Sequence, residues 1–171
     1  LRRERKNGDA AVNRTVTILK NFYRAIVATE NLEPRDNPMA YFPKMKRPSR
    51  KLPEVLTEQE APQLLDQPPS DTIIGLRDRA ILATLYGTGI RVSECSGLNE
   101  KDVDLERRTV KVKGKGGDER VVPLNDMVVK AIAAYRVARG PHASGAMFVS
   151  RKGRRMSRNA IYDRVRMHAK K

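Results

Sequence analysis

Between residues 10 and 29 the apolar positions recur with a helical period. Val12, Val16, Leu19, Phe22, Tyr23, Ile26 and Val27 form one stripe, with Arg14, Lys20 and Arg24 mostly off it. The spacing predicts a helix over 10–29. The stretch "ENLEPRDNPMAYF" then loses all period and carries two prolines. In "PKMKRPSRKLP", 43–53, five basic residues and three prolines stand together without an acid. Proline removes amide donors and stiffens the chain, so this segment reads as an extended linker. It serves as a basic strap along a phosphate backbone or simply as a solvated connection, and both readings stand.

Helical periodicity returns after the linker. "LTEQEAPQLLDQ" opens with Thr57 and Glu60 in capping-box spacing, with Pro62 near enough to the first turn to be tolerated. "GLRDRAILATLYGTG" is the strongest helix of the chain. Leu76, Ala80, Ile81 and Leu85 make its second half apolar nearly all round, which predicts a core helix closed by Gly87 or Gly89. A short helical turn follows through "RVSECSGL".

The period then becomes two. Val110 and Val112 alternate with Lys111 and Lys113, "RVVPL" answers them, and Gly114 to Asp118 lie in or near the turn, which predicts a β-hairpin. Asn125 is placed to cap the helix "DMVVKAIAAYRVARG", closed by Gly140. "AMFVS" is a short apolar strand or turn. Ser157 caps a last helix, "RNAIYDRVRMHAKK", with Ile161 and Val165 on one face. The expected fold is therefore mainly α with a small β-hairpin or sheet, an α+β chain.

Charge narrows the function. The chain has 171 residues, 39% apolar and 32% charged, with a net charge of +15. That excess repels itself in a compact chain unless a polyanion relieves it. Nucleic acid is the first expected partner, because each Lys or Arg on a phosphate releases counterions. An anionic membrane fits less well, since the basic residues are spread along the chain. No apolar run approaches the roughly 18 residues of a membrane span. "LRRERKNG" has no hydrophobic region behind it and is no signal peptide, so a reducing cytoplasmic setting is expected. One cysteine, Cys95, and two histidines, His142 and His168, leave no basis for a disulfide or zinc site, and no cofactor is expected.

Candidate chemistry converges on "GTGIRVSE", 87–94. Arg91 follows a glycine-capped core helix, on rigid scaffold, and its planar guanidinium matches two oxygens of one phosphate. Glu94 stands one turn on. Such a pair is more often a plain surface ion pair. Lys115, in the glycine turn, is placed to swing onto a leaving oxygen, although a turn lysine is usually just solvated. "KGKGG" lacks the pattern and the strand-to-helix setting of a nucleotide-binding loop. From Arg151 to Lys171 there are nine Lys or Arg against one acid, so the last helix suits a DNA groove. The candidate DNA contacts are Lys44, Lys46, Arg47, Arg50, Lys51, Lys113, Arg120, Arg154, Arg155 and Arg158.

These stretches resemble the tyrosine site-specific recombinases, the Xer-type and phage integrase group. The resemblance rests on "KLPEVLTEQE", "LRDRAILATLYGTGIRVSECSGL", "DVDLERRTVKVKGKGGDERVVPL" and "MSRNAIYDRVRMHAKK". "TGIRVSE" followed by "GKGGDERVVPL" is its most specific part. It implies a catalytic-domain-like fold over 54–171, a linker at 43–53, and the end of a helical core-binding domain at 1–42. It implies cleavage and rejoining of DNA strands through a 3′-phosphotyrosyl intermediate, without metal or nucleotide, by subunits that form a tetramer on two duplexes. Arg91 is then the first catalytic arginine, Glu94 the supporting acid and Lys115 the hairpin lysine that protonates the leaving 5′ oxygen.

The family's H-x-x-R motif, later His or Trp, and tyrosine nucleophile have no counterpart here. His168 gives H-x-x-K, and His142 lies in a loop too early. Tyr23, Tyr41, Tyr86, Tyr135 and Tyr162 read as helix or packing residues. The expectation is an internal piece of a recombinase that binds duplex DNA without cleaving it. The rival is a non-catalytic DNA-binding or regulatory protein on the same fold. An H-x-x-R and a tyrosine downstream of Lys171 separate the enzyme from the regulator.

Overall fold

The computed structural model describes residues 9–43, 57, 59–114, 116–141 and 144–170. The chain divides into two units, Leu1–Glu54 and Val55–Lys171. The basic linker residues Lys44, Lys46, Arg47, Arg50 and Lys51, and the hairpin residue Lys115, lie outside the described residues.

In the first unit the expected helix is α1, Asp9–Thr29, followed by a 3-10 turn at Pro34–Asp36. Val16 is buried and Tyr23, Ile26 and Val27 are half-buried, but Leu19 and Phe22 are exposed. Among the described residues of this unit, one helix and one short turn are too little surface to cover a stripe that wide. Lys20 Nζ donates to the Phe42 carbonyl at 3.0 Å and sits 5.7 Å from the centre of its ring. That cation–π contact ties the chain after the turn back to α1. Tyr41 sits in a turn and is exposed, so it is neither the helix nor the packing residue expected of it.

The second unit begins with the capping box at Thr57. Glu60 N–H donates to Thr57 Oγ1 at 3.2 Å, and Thr57 N–H donates to Glu60 Oε2 at 2.8 Å. Helix α2, Glu60–Asp66, follows. Helix α3, Ile73–Thr88, is capped by Thr72, whose hydroxyl oxygen accepts from Gly75 N–H at 3.0 Å. It closes on Gly89, at φ 64° in the left-handed region that glycine adopts without steric cost. Next come α4, Val92–Gly97, a 3-10 turn at Glu100–Asp102, and three strands: β1, Val103–Asp104, β2, Thr109–Lys113, and β3, Glu119–Pro123. Helix α5, Asp126–Arg139, is capped by Asn125, and α6, Arg158–Ala169, by Ser157.

The strands form one antiparallel sheet in the order β1-β2-β3. The expected hairpin is β2 and β3, with Val110 opposite Val122 and Val112 opposite Arg120. β1 was not expected: two residues, Val and Asp, are too few to show an alternation. Val110 and Val112 point into a core shared with Ile81, Ile90, Cys95, Val128, Ile132, Tyr135, Phe148 and Ile161. "AMFVS" makes single bridges, Asn99 with Ala146 and Val149 with Arg155, and buries Ala146 through Val149. Tyr135 stacks on Phe148 with ring centres 6.0 Å apart, and its hydroxyl oxygen accepts from Val149 N–H at 3.4 Å. Two arginines of α5 pin this layer to the sheet. Arg139 Nη1 donates to the Ala146 and Met147 carbonyls at 3.1 Å, and Arg136 Nη2 donates to those of Glu100 and Val103 at 2.8 and 3.1 Å.

Candidate functional site

Arg91 is the residue before the first turn of α4, with extended backbone at φ −67° and ψ 150°. Two buried neighbours hold that backbone in place. Ile90 enters the core on one side and Cys95 on the other. The glycine turn at 89 therefore reverses the chain, the apolar residues anchor it, and the Arg91 side chain is left 73% exposed. A long cation standing outward from a fixed backbone is what an anion ligand requires.

Glu94 is the opposite case. Its side chain is only 4% exposed. Glu94 Oε2 accepts from Arg91 N–H at 2.8 Å, which supplies an acceptor to the start of α4. Oε1 accepts from Arg91 Nη1 at 3.2 Å. The stronger partner comes from the hairpin. Arg120 Nη1 donates to Oε1 at 3.0 Å and Nη2 to Oε2 at 2.8 Å, a bidentate pair. The Arg120 hydrogen bonds, with those from Arg91, outweigh the effect of burial and bring the Glu94 carboxyl down to about 2. The carboxylate is therefore ionised at neutral pH.

The structure thus brings Arg91, Glu94 and Arg120 together. The turn between β2 and β3 is closed by Gly114 N–H donating to the Asp118 carbonyl at 2.7 Å, and Gly116 and Gly117 both take φ 96°. Lys113 is exposed on β2, opposite Glu119. A polar cavity of about 320 Å³ adjoins the site, lined by Ser93 and Glu94 with Lys101, Lys111, Lys113 and Glu119. A larger cavity of about 570 Å³, between α2, α3 and α5, holds none of the Arg91 site's residues.

Of the candidate residues near the end of the chain, Arg154, Arg155 and Arg158 are all exposed. Arg155 is occupied otherwise. Its Nη1 donates to the Ser96 and Leu98 carbonyls at 3.0 and 2.7 Å, and its Nη2 to Asn99 Oδ1 at 2.5 Å. These bonds close the end of α4 while the residue stays exposed. Cys95 is fully buried, and burial pushes its thiol up to about 12, so it is no nucleophile. Among the described residues, no cluster of His, Cys, Asp or Glu is arranged to hold a metal ion.

A second polar cluster escaped the sequence reading. Asp78, on α3, is 1% exposed and faces three basic side chains. Arg77 Nη2 donates to its Oδ1 at 2.8 Å, Arg164 Nε donates to Oδ2 at 2.6 Å, and His168 Nε2 lies 3.1 Å from Oδ2. Burial alone raises the carboxyl, but the hydrogen bonds from Arg164, Arg77 and His168 hold it below its ordinary value. The available signal was "RDR" inside an otherwise apolar helix, since a charge there needs a buried partner.

A mainly helical unit with a small three-stranded antiparallel sheet is the architecture of tyrosine recombinase catalytic domains. The phage integrase family model matches residues 54–171, and the chain belongs to that family. It is 38% identical over 156 residues to tyrosine recombinase XerC of Myxococcus xanthus, covering 86% of this chain and 51% of that protein. It is 37% identical over 159 residues to tyrosine recombinase XerD of Mycobacterium tuberculosis, covering 87% and 50%. The chain thus spans about half the length of the curated relatives it matches. Among solved structures, XerA recombinase superposes with a TM-score of 0.62 at 25% identity, over 91% of this chain and 60% of that one. A lambda integrase tetramer bound to a Holliday junction superposes with a TM-score of 0.69 at 16% identity, over 96% and 48%, a likeness of fold. No helix among the described residues is long and apolar enough to cross a membrane.

Proposed function

We propose that this chain is the part of a cytoplasmic site-specific DNA recombinase that holds the scissile phosphate, in an enzyme that cuts and rejoins strands through a 3′-phosphotyrosyl intermediate. Residues 54–171 form the first part of the catalytic domain, 43–53 a basic linker, and 1–42 the end of a core-binding domain. The observation that carries this reading is the exposed Arg91 guanidinium on a backbone fixed by the core, beside a buried Glu94 that two arginines hold as the carboxylate.

In the reaction a tyrosine hydroxyl attacks the phosphorus and the bond to the 5′ oxygen breaks. Negative charge builds on the non-bridging oxygens, and Arg91 stabilises it. The leaving 5′ oxygen takes a proton from Lys115, acting as general acid. Glu94 keeps Arg91 in place, and no metal or cofactor takes part. The tyrosine is supplied outside this chain's five tyrosines. Lys113, Arg154 and Arg158, with the linker cations Lys44, Lys46, Arg47, Arg50 and Lys51, hold the duplex backbone. Other recombinase subunits complete a tetramer on two duplexes. Tyrosine recombinases XerC and XerD, matched along half their length, support this reading.

The full product of the gene, incubated with a nicked cognate site, is expected to form a covalent adduct at the 3′ phosphate, and Arg91→Ala to abolish it. A full product that forms no adduct on any nicked site contradicts the enzymatic reading. For the 171-residue chain alone, duplex affinity is expected to fall as salt rises. An affinity indifferent to salt contradicts the phosphate contacts.

A further inference from the structure

Glu94 has its acceptor positions filled four times over. It accepts from Arg91 N–H, from Arg91 Nη1, and from both terminal nitrogens of Arg120. A carboxylate offers about four lone-pair sites, so the group is saturated. The two arginines hold it unequally. Arg120 is bidentate at 3.0 and 2.8 Å, whereas Arg91 offers one side-chain nitrogen at 3.2 Å and stays 73% exposed. Arg120 comes from β3, directly opposite Val112, and its Nη1 would lie 3.8 Å from a β-carbon at Gly114. The hairpin itself therefore carries the guanidinium that neutralises Glu94.

The geometry points to Arg120 as a positioning residue for phosphate binding: by occupying Glu94 it leaves the Arg91 guanidinium free for a backbone phosphate of duplex DNA. This rests on reading Arg91 as a phosphate ligand. The competition is simple. A buried carboxylate stripped of Arg120 has two open acceptor positions, and leaving them unmet is costly. Arg91 already bonds this carboxylate through one side-chain nitrogen, and its planar fork fits a carboxylate as well as a phosphate. Arg91 then folds back onto Glu94 and is lost to the DNA. Arg120 is in consequence no phosphate contact itself, since leaving Glu94 would open the same positions.

Salt titration of duplex binding by the 171-residue chain tests this without any cleavage. Removing one phosphate contact takes about one unit off the slope of log affinity against log salt. Arg91→Gln is expected to lower the slope by about one, and Arg120→Gln to do the same, through Arg91. In the double variant E94Q/R120Q no carboxylate remains to recapture Arg91, and the slope is expected to return to that of E94Q alone. A drop that persists in the double variant makes Arg120 a direct phosphate contact and overturns the inference. So does an R120Q slope equal to wild type while R91Q lowers it. If R91Q itself leaves the slope unchanged, the phosphate reading of Arg91 fails first, and this inference with it. Arg120→Lys keeps the charge on Glu94. Its slope is expected to stay near wild type, which gives a second reading if R120Q does not fold, and an R120K slope as low as that of R91Q counts against neutralisation as the cause.

Discussion

Asp78 and His168 are 90 positions apart in the chain, and their side chains meet at 3.1 Å inside the second unit. One belongs to α3, the other to the last turn of α6. With Arg164 also on Asp78, the buried carboxylate fastens α6 to the core helix that leads into the Arg91 turn. Asp78→Asn removes the charge that Arg77, Arg164 and His168 share. Breaking a buried pair from one side costs roughly 3–5 kcal/mol, because the partners stay behind uncompensated. Urea unfolding is expected to show that loss. Arg164→Met, at a more exposed partner, is expected to cost less, and equal costs would deny Asp78 its central place.

Two buried carboxylates, Asp78 and Glu94, contribute to acid stability. Asp78 and Glu94 both titrate lower in the folded chain than in the unfolded one. Each therefore contributes stability that is complete above the unfolded values near 4 and is lost as pH falls through the folded ones. For Glu94 that window runs from 4.5 down to about 2. Its two arginines are partly solvated, so the contribution is on the order of 1–3 kcal/mol rather than the full shift. Urea midpoints of wild type should drop steeply from pH 5 to pH 2.5 and those of Glu94→Gln less so. Parallel curves would contradict the assignment.

Gly75 is required by contact rather than by conformation. A β-carbon there would lie 1.8 Å from the Pro69 carbonyl oxygen, a backbone atom that cannot swing aside. Gly75→Ala is expected to cost at least as much as ordinary overpacking, about 1–3 kcal/mol. Gly89→Ala meets no neighbour within 4 Å, and its penalty comes only from φ 64°, about 1 kcal/mol. Thermal melts of the two variants should rank them in that order.

Cys95 should be silent in the native chain. Its thiol is fully buried and raised to about 12, so almost no thiolate exists at neutral pH. Iodoacetamide is expected to modify it only at the rate of unfolding and promptly in urea. Fast labelling of the native chain would place it elsewhere.

Arg154 and Arg155 are neighbours with different expected roles. Arg155→Ala removes three hydrogen bonds that close α4, and is expected to lower stability by about 1–3 kcal/mol. Arg154→Ala is expected to leave stability alone and to take about one unit off the salt slope of duplex binding. Melting curves and salt titrations of both variants, measured together, would expose a reversal.

What the amino-acid sequence determined by itself was local. The caps at Thr57, Asn125 and Ser157, the Gly89 stop and the β2–β3 hairpin each depend on contacts within a turn or a few residues, so short-range spacing carries them. The three-residue step from Arg91 to Glu94 was visible for the same reason, and the family resemblance gave it a candidate role. Only the tertiary structure decided what those charges meet. Arg120 reaches Glu94 from 26 positions away, and Arg164 and His168 reach Asp78 from 86 and 90. Arg155 stays a surface cation, but the fold sets its guanidinium on the carbonyls at the end of α4. A charge in a sequence shows that it needs either water or a partner. Which one it receives is settled by packing, because burial sets the cost of leaving it alone.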